Sequence, residues 1–277
     1  MSVKTYIYRV FRYIFKGVPN IKLTPTISYI DPSKKLEGKK IIITGGSSGI
    51  GAAMAQKFCK EGAEVLIVGR NEAKLSKVAE KTGCSYLSFD INNLSEILVF
   101  FETIEKRFGR FNTLVNNAGI SLHESTFIEV TPETFDKQLT TNLEAPFFLA
   151  QEFINRLLSA NEEGNILFIS SETGDTVDFR PYGYTKAAIN SMTKGLANLF
   201  KQKNIRINAI SPGITASGMT GITAEDNLYA GNYGSGRFYL PEEIAEVAAF
   251  LISDASRCIS GQVITCNNAQ TVNPRWK

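Results

Sequence analysis

The sequence is poor in the residues from which metal sites and disulfides are built. It contains a single histidine, His123, and no Cys-x-x-Cys pair. Zinc sites combine several His and Cys ligands at short spacings, so no metal site is expected. The four cysteines show no close pairing, and we expect reduced thiols in a cytoplasmic protein rather than disulfides. They are Cys59, Cys84, Cys258 and Cys266.

Long apolar runs and a strong net charge are also missing. No apolar stretch approaches the roughly 20 residues that a helix needs to cross a bilayer. The net charge of +3 is too small to indicate a nucleic-acid partner. With 277 residues, 43% of them hydrophobic, the chain can form one large domain with a sizeable core.

The chain does contain a glycine-rich turn, Thr-Gly-Gly-Ser-Ser-Gly-Ile-Gly, at residues 44–51. A β-branched run at 39–43 precedes it and predicts a buried strand, while small and apolar residues at helical spacing follow over 52–59. In such a unit bare glycines let a pyrophosphate approach, and the helix N-terminus favours the anion. The alternative is a glycine turn without a ligand.

The remaining sequence alternates predicted strands and helices, which is typical of a parallel sheet covered on both faces. We predict an α/β, Rossmann-type doubly wound sheet of about seven strands, with ligands at the carboxyl ends of the strands. A long helix over 132–158 is predicted to kink at Pro146. Further strands are predicted at 64–68, 85–89, 113–115, 165–169, 205–210 and 262–265, and further helices at 71–81, 94–108, 182–202 and 241–253.

A second informative pattern is the helix-spaced pair Tyr182 and Lys186. Residues four apart share a helix face, so the ammonium can favour the charged form of the phenol and lower its pKa. A free phenol has a pKa near ~10, and bringing it near neutrality requires roughly 4 kcal/mol. The pair therefore predicts a proton-transfer site in a cleft that excludes water.

Four motifs in order resemble the short-chain dehydrogenase/reductase family over about residues 36–272, in particular its 3-oxoacyl-(acyl-carrier-protein) reductase-like members. They are the turn at 44–51, Asn-Asn-Ala-Gly at 116–119, Tyr-x-x-x-Lys at 182–186 and Ser-Pro-Gly-Ile at 211–214. The resemblance implies a nicotinamide-dependent oxidoreductase, in which the cofactor moves the hydride and the protein supplies the proton.

The resemblance also assigns catalytic roles. Tyr182 would be the general acid/base, and Lys186 would hold the nicotinamide ribose and lower the pKa of Tyr182. Ser171 would hydrogen-bond the substrate oxygen. Asn142 would hold a water in the proton relay, although without the resemblance it would be interpreted as a solvated helix residue.

One spacing departs from the family pattern. The family serine usually precedes the tyrosine by about twelve or thirteen residues, whereas Ser171 precedes Tyr182 by eleven and Ser170 by twelve. Tyr184 would restore thirteen, but it lies two residues from Lys186 on a different helix face. We retain Tyr182, and prefer Ser171 to Ser170 because the second serine after the strand should enter the cleft.

The cofactor type is predicted from the residues after the second strand. NAD-binding members typically place an acid there, whereas this chain has Gly69 followed by Arg70, which could pair with a 2′-phosphate. NADP(H) is therefore expected rather than NAD, unless Arg70 is only an exposed arginine at a helix start. Asp90 would accept the adenine amino group or cap a helix. The full set expected at the cofactor is Gly45, Ser47, Ser48, Gly49, Ile50, Gly51, Arg70, Asp90, Ile91, Asn117, Ala118, Gly119, Tyr182, Lys186, Pro212, Gly213, Ile214 and Ser217.

The substrate is expected to be a small carbonyl or alcohol compound, but its identity does not follow from the sequence. A glycine- and tyrosine-rich stretch near 218–240 is predicted to form a lid, and Arg180 or Arg237 could hold an anionic group or be surface arginines. A homo-oligomer, specifically a homotetramer, is implied by the resemblance. The alternative function is a catalytically weak nucleotide sensor or scaffold that keeps the fold.

Residues 1–35 precede the single domain predicted over 36–277. They combine apolar residues at helical spacing with basic ones and no acid before Asp31, which predicts a basic amphipathic helix and an extended arm. No secretory signal is recognisable. The segment would pack on the domain or a neighbouring subunit, or touch an anionic membrane through residues 1–17. The first alternative predicts a cytoplasmic protein, and the second a cytoplasmic protein that is membrane-peripheral.

Overall fold

The computed structural model describes residues 11, 34–223, 225–230, 233 and 235–272. The amphipathic helix, extended arm and membrane contact predicted for 1–35 therefore lie almost entirely outside the described residues. Among the described helices, none combines the length and apolarity required to cross a bilayer.

Seven strands alternate with helices along the chain, as predicted. The strands are β1 Lys40–Thr44, β2 Glu64–Gly69, β3 Ser85–Ser88, β4 Thr113–Asn116, β5 Gly164–Ile169, β6 Ile205–Pro212 and β7 Val263–Cys266. The helices are α1 Gly49–Lys60, α2 Glu72–Thr82, α3 Ile97–Phe108, α4 Pro132–Leu139, α5 Ala145–Ala160, α6 Pro181–Phe200 and α7 Pro241–Ile252.

The strands form one parallel sheet in the order β3-β2-β1-β4-β5-β6-β7. Side chains alternate between its faces, so Ile42 packs against α3, α5 and α6 while Ile41 and Ile43 pack against α1, α2 and α7. Two apolar cores thus hold the sheet between two helical layers. The doubly wound fold is confirmed, and the strand order reverses between β1 and β4, where such sheets bind ligands.

The predicted helix over 132–158 is interrupted earlier than expected. A π-helical segment, Thr140–Glu144, separates α4 from α5, and the Ala145 N–H bonds back to the Thr140 carbonyl. Pro146 has no N–H, and its ring would clash with the carbonyl four residues earlier, at Asn142. The widening at 140–144 therefore lies in the turn where Pro146 disrupts the helical hydrogen bonds, and the kink expected at the proline stays a prediction.

All four cysteines are free thiols. The fold brings the thiols of Cys59 and Cys84 within hydrogen-bond contact, although 25 positions separate them in the sequence. The hydrogen bond from Cys59 lowers the pKa of the Cys84 thiol to about 7.

Candidate active site

The glycine turn joins β1 to α1 and is packed too tightly for side chains. A Cβ on Gly51 would lie 2.3 Å from the Gly45 carbonyl oxygen, and one on Gly45 would lie 2.9 Å from the Ala118 Cα. Helix α1 has no acidic residue in its first turn, and its N-cap residue Ser48 makes no side-chain capping bond. Free N–H groups and the helix dipole there suit an anion.

The end of β4 is bound to this turn through Asn117. Its Nδ2 donates to the carbonyl oxygens of Thr44 at 2.9 Å and Gly45 at 3.1 Å. The Thr44 hydroxyl accepts from the N–H groups of Asn117 and Ala118, both at 3.1 Å. The Asn117 side chain, expected at the cofactor, is therefore occupied in holding the turn.

The neighbouring Asn116 is the asparagine left without partners. Its side chain is buried, yet neither Oδ1 nor Nδ2 has a hydrogen-bond partner. Unpaired buried amides are costly, and they commonly mark a position where a bound group supplies the missing bonds. With the glycine turn and the first turn of α1, this orphaned amide fits a dinucleotide.

Arg70 follows β2 and is exposed. The ion pairs made by the described residues do not include it. The Ser47 hydroxyl lies 3.8 Å from where a Gly69 Cβ would stand, so a hydroxyl donor and a guanidinium flank the end of β2.

Three further residues expected at the cofactor have other contacts. Asp90 Oδ1 accepts from the Asn92 N–H at 3.0 Å, whereas Asn93 is the N-cap of the following helical turn. The helix-capping alternative for Asp90 was therefore wrong. The Ile91 side chain is buried in the core, while Ile50 packs partly against the opposite core.

Ser171 and Tyr182 meet where β5 ends and α6 begins. The Ser171 hydroxyl lies close enough to the phenol to lower the pKa of Tyr182, against the larger rise that burial causes. The Ser171 oxygen also accepts from the Thr173 N–H at 3.3 Å and the Thr173 hydroxyl at 3.0 Å. Because Thr173 occupies acceptor sites on that oxygen, the Ser171 proton is directed toward Tyr182. The eleven-residue spacing thus still brings the two hydroxyls together.

Lys186 lies one turn further along α6 and is almost completely buried. Its Nζ is 5.5 Å from the centre of the Tyr182 ring and donates to the Ile169 carbonyl at 2.8 Å. Nζ would also lie 3.6 Å from a Cβ on Gly119. By contrast, Tyr184 is 51% exposed, and the structure places Tyr182 rather than Tyr184 beside the lysine.

The pKa values differ from the sequence-based expectation. Burial raises the pKa of Tyr182, with the Ser171 hydrogen bond and the Arg180 charge opposing the rise. Lys186 contributes no resolved lowering, and burial lowers its own pKa to about 8. The expected depression of the Tyr182 pKa is therefore wrong for this structure, because burial of the phenol raises the pKa by more than Ser171 and Arg180 lower it.

Asn142 lies in the π-helical segment and is buried. Its Oδ1 accepts from the Ile120 N–H and its Nδ2 donates to the Ile120 carbonyl, both at 2.8 Å. Nδ2 also lies 3.3 Å from the Thr185 hydroxyl. The Asn142 side chain thus holds the segment after Gly119 against α6. It is not the solvated side chain that its polarity alone suggested.

Ser170 points away from the cleft. Its hydroxyl donates to Asn190 Oδ1 at 2.6 Å, and Asn190 Nδ2 donates to Asp175 Oδ1 at 2.9 Å. Asp175 Oδ2 in turn accepts from the hydroxyls of Ser211 at 3.0 Å and Thr265 at 3.2 Å. This network, which sequence reasoning missed, anchors the turn after Ser171 to α6, β6 and β7.

The segment after β6 passes beside the glycine turn. Pro212 is buried at the end of β6, and the Gly213 N–H bonds to the Cys266 carbonyl at 2.9 Å. The Ile214 carbonyl accepts from the Tyr239 N–H at 2.9 Å, which ties the two ends of the 218–240 stretch together. The Ser217 Cβ lies 3.2 Å from where a Gly49 Cβ would stand.

The two arginines considered for an anionic substrate are both paired. Arg180 makes a bidentate ion pair with Asp178, with N–O distances of 2.8 and 2.9 Å. Arg237 makes a bidentate ion pair with Glu243, with N–O distances of 2.7 and 2.8 Å. Their charges are therefore already neutralised by carboxylates. His123, which adopts a φ of 55°, bonds through Nε2 to the Met219 carbonyl at 2.9 Å.

Known proteins share this arrangement of fold and motifs. Residues 45–268 match the family described as enoyl-(acyl carrier protein) reductase. The chain is 34% identical to a 3-oxoacyl-(acyl-carrier-protein) reductase of Aquifex aeolicus over 84% of its own length and 97% of that protein's. The chain belongs to the short-chain dehydrogenase/reductase family.

Another relative is named for a different substrate. A gluconate 5-dehydrogenase of Gluconobacter oxydans is 30% identical, over 86% of this chain and 96% of that protein. The crystal structure of a 3-ketoacyl-(acyl-carrier-protein) reductase from Brucella melitensis complexed with NADH matches with a TM-score of 0.77 at 30% identity. It covers 86% of this chain and 100% of that one. As a short-chain dehydrogenase/reductase, the protein is an NAD(P)-dependent oxidoreductase acting on CH–OH and C=O groups.

Proposed function

We propose that the protein is an NADP-dependent carbonyl reductase or alcohol dehydrogenase in which Tyr182 exchanges the proton. The observation that carries the proposal is the proximity of the Ser171 and Tyr182 hydroxyls, with Lys186 on the same helix and 5.5 Å from the Tyr182 ring. A substrate oxygen between the two hydroxyls would be oriented by Ser171 and protonated or deprotonated by Tyr182. The nicotinamide cofactor supplies or accepts the hydride when bound.

The remaining roles follow from the positions of the side chains. Lys186 would hold the cofactor ribose, and Asn142 would keep the segment at Gly119 and Ile120 in place beside it. The glycine turn, Asn116 and Ser217 would hold the rest of the dinucleotide. The stretch at 218–240 would close over the substrate. Asn142 would also hold the relay water of the family mechanism.

The general test is consumption of NADPH over a panel of ketones, aldehydes and 3-oxoacyl thioesters. We expect measurable turnover with at least one class. Absence of turnover with every class, together with tight NADPH binding, would instead favour a nucleotide sensor or scaffold. The paired Ser171 and Tyr182 disfavour that alternative, since a binding module has no need of a proton donor.

We expect NADPH to bind more tightly than NADH, and Arg70→Glu to reduce or reverse this preference. The guanidinium after β2 is exposed, and no acid stands at Gly69 to receive ribose hydroxyls. A charge-assisted bond to the 2′-phosphate is worth ~1.5–3 kcal/mol, which corresponds to roughly ten- to a hundredfold discrimination. Dissociation constants can be measured by cofactor fluorescence titration.

The matched control is Lys74→Glu, which makes the same charge change at another exposed position, in α2. It should leave the ratio of the two dissociation constants unchanged. Equal dissociation constants for NADPH and NADH in the wild-type protein would contradict the assignment of Arg70.

We also propose that the protein is cytoplasmic and forms a homo-oligomer, specifically a tetramer. The neighbouring helices α3 and α5 expose large apolar side chains near their N-termini, a pattern that marks interaction surfaces. Phe148→Glu should lower the sedimentation coefficient, whereas Leu199→Glu on α6 should not. A monomeric wild-type protein would refute the proposal. The exposed residues are Leu98, Val99, Phe147 and Phe148.

A further inference from the structure

The residue after Ser171 is a half-buried glutamate, Glu172. It begins the helical turn Glu172–Asp175, so the backbone places it beside the serine that meets Tyr182. Its Oε2 accepts from Asn267 Nδ2 at 3.0 Å, and the Ile214 N–H donates to the same carboxyl group. Asn267 is 3% exposed and also bonds Thr271 Oγ1 at 3.0 Å. The carboxyl is thus held in a fixed position.

No cation neutralises this carboxyl among the described ion pairs. Arg180 and Arg237 are each paired with another carboxylate, Asp178 and Glu243 respectively. Burial raises the pKa of Glu172, and the Glu172 charge raises the pKa of Tyr233, which places that tyrosine within electrostatic reach. Glu172 therefore lies between the serine, the segment after β6 and the 218–240 stretch.

A second acid lies near Arg180, at the start of α6. Glu124 acts electrostatically on Arg180, and its Oε2 is buried without a hydrogen-bond partner. Its other oxygen accepts from Gln138 Nε2 at 2.5 Å. A carboxylate offers about four acceptor sites. Among the described residues only two donors reach Glu172, so it can accept further hydrogen bonds from a ligand.

The negative charge of Glu172 and its free acceptor sites favour some classes of carbonyl substrate over others. A carboxylate next to the reacting carbonyl would approach the Glu172 carboxylate, which no cation pairs among the described residues, and would be repelled. An unsubstituted ketone would leave the spare acceptor sites unused. A neighbouring hydroxyl would donate to them, and hydrogen bonds to charged groups typically confer ~10- to 100-fold in affinity.

We propose that Glu172 is a specificity-determining residue that accepts a hydrogen bond from a substrate hydroxyl, and that the substrates are uncharged hydroxy ketones or hydroxy aldehydes. In the reverse direction they would be the corresponding diols or polyols. The inference rests on the proposed function, because it concerns the same Ser171 and Tyr182 site.

Three four-carbon ketones that differ in one substituent test it: 1-hydroxy-2-butanone, 2-butanone and 2-oxobutanoate. With saturating NADPH, we expect kcat/KM of the wild-type protein to be ~10- to 100-fold higher for the hydroxy ketone than for 2-butanone. The value for 2-oxobutanoate should be the lowest of the three. Equal values, or a preference for the oxo acid, would overturn the inference while leaving the proposed function intact.

Two variants connect the preference to the side chain. Glu172→Leu should remove the advantage of the hydroxy ketone, because the substrate hydroxyl loses its acceptor. The variant also loses the bonds from Asn267 and Ile214, so kcat/KM for 2-butanone, which makes no bond to the carboxyl group, measures the disturbance that this loss causes. Glu172→Gln is nearly isosteric and neutral, so it should relax the exclusion of 2-oxobutanoate even if the leucine variant fails to fold. NADPH affinity and the melting temperature report folding.

The matched control is Glu225→Gln, an exposed acid in the 218–240 stretch, which should keep the wild-type order of the three substrates. A hydroxy-ketone advantage that survives in Glu172→Leu would refute the role of this residue. If the wild-type protein reduces none of the three ketones nor any member of the wider panel, the proposed function itself fails, and the inference fails with it.

Discussion

Replacing Tyr182 by phenylalanine is expected to reduce kcat by at least ~10²-fold while leaving NADPH affinity nearly unchanged. The ring is retained, so its packing and its contact with Lys186 persist. Only the oxygen that meets the Ser171 hydroxyl and exchanges the proton is lost. Steady-state turnover and cofactor titration on the same preparation separate the two effects.

Tyr184→Phe is the matched control, since it removes the same atom two residues away on the same helix. Tyr184 is exposed, and its loss should change kcat little. An inactive Tyr184→Phe together with an active Tyr182→Phe would show that the tyrosine was assigned in the wrong register.

The fold was largely predictable because its signals are local. Buried strands such as β1 and β2 are β-branched runs, and their observed bounds differ from the predicted ones by at most one residue. The four-residue spacing of Tyr182 and Lys186 likewise needs only a helix to bring them together. Patterns that depend on a single helix or strand can therefore be predicted from the sequence.

What could not be predicted depends on contacts between distant parts of the chain. The sequence contains two adjacent asparagines, and only the position of Thr44 shows that Asn117 is occupied while Asn116 is left unpaired. In the same way, Arg180 looks available for an anion until Asp178 is seen to neutralise it.

The pKa of Tyr182 also depends on contacts that the sequence does not show. Helical spacing predicts the sign of the attraction between the ammonium and the phenol. It gives no information on desolvation, which depends on how completely other elements cover the ring, and which dominates here. The proximity was thus predictable and the direction of the shift was not.

Replacing Lys186 by methionine is expected to reduce turnover by at least ~10²-fold, yet to stabilise the cofactor-free protein at pH 7. Burial lowers the pKa of Lys186 from 10.5 to about 8. That shift corresponds to a penalty of about 3 kcal/mol for the charged lysine in the folded state. Methionine avoids the penalty but loses the bond to Ile169, worth about 1 kcal/mol. The net gain in the free energy of unfolding should be about 2 kcal/mol.

The pH dependence distinguishes this explanation from general repacking. Below pH 8 the lysine is charged in both the folded and unfolded states, and the folded state bears the full penalty. Between pH 8 and 10.5 the folded protein loses its proton first, so the wild-type protein gains stability relative to the variant as pH rises. Urea unfolding at pH 7 and pH 9.5 should therefore show the advantage of Lys186→Met shrinking. Lys194→Met, at an exposed position on the same helix, should show no such trend. If Lys186→Met is less stable than wild type by the same amount at both pH values, the buried ammonium does not destabilise the folded protein. Lys186 would then serve activity without a cost in stability.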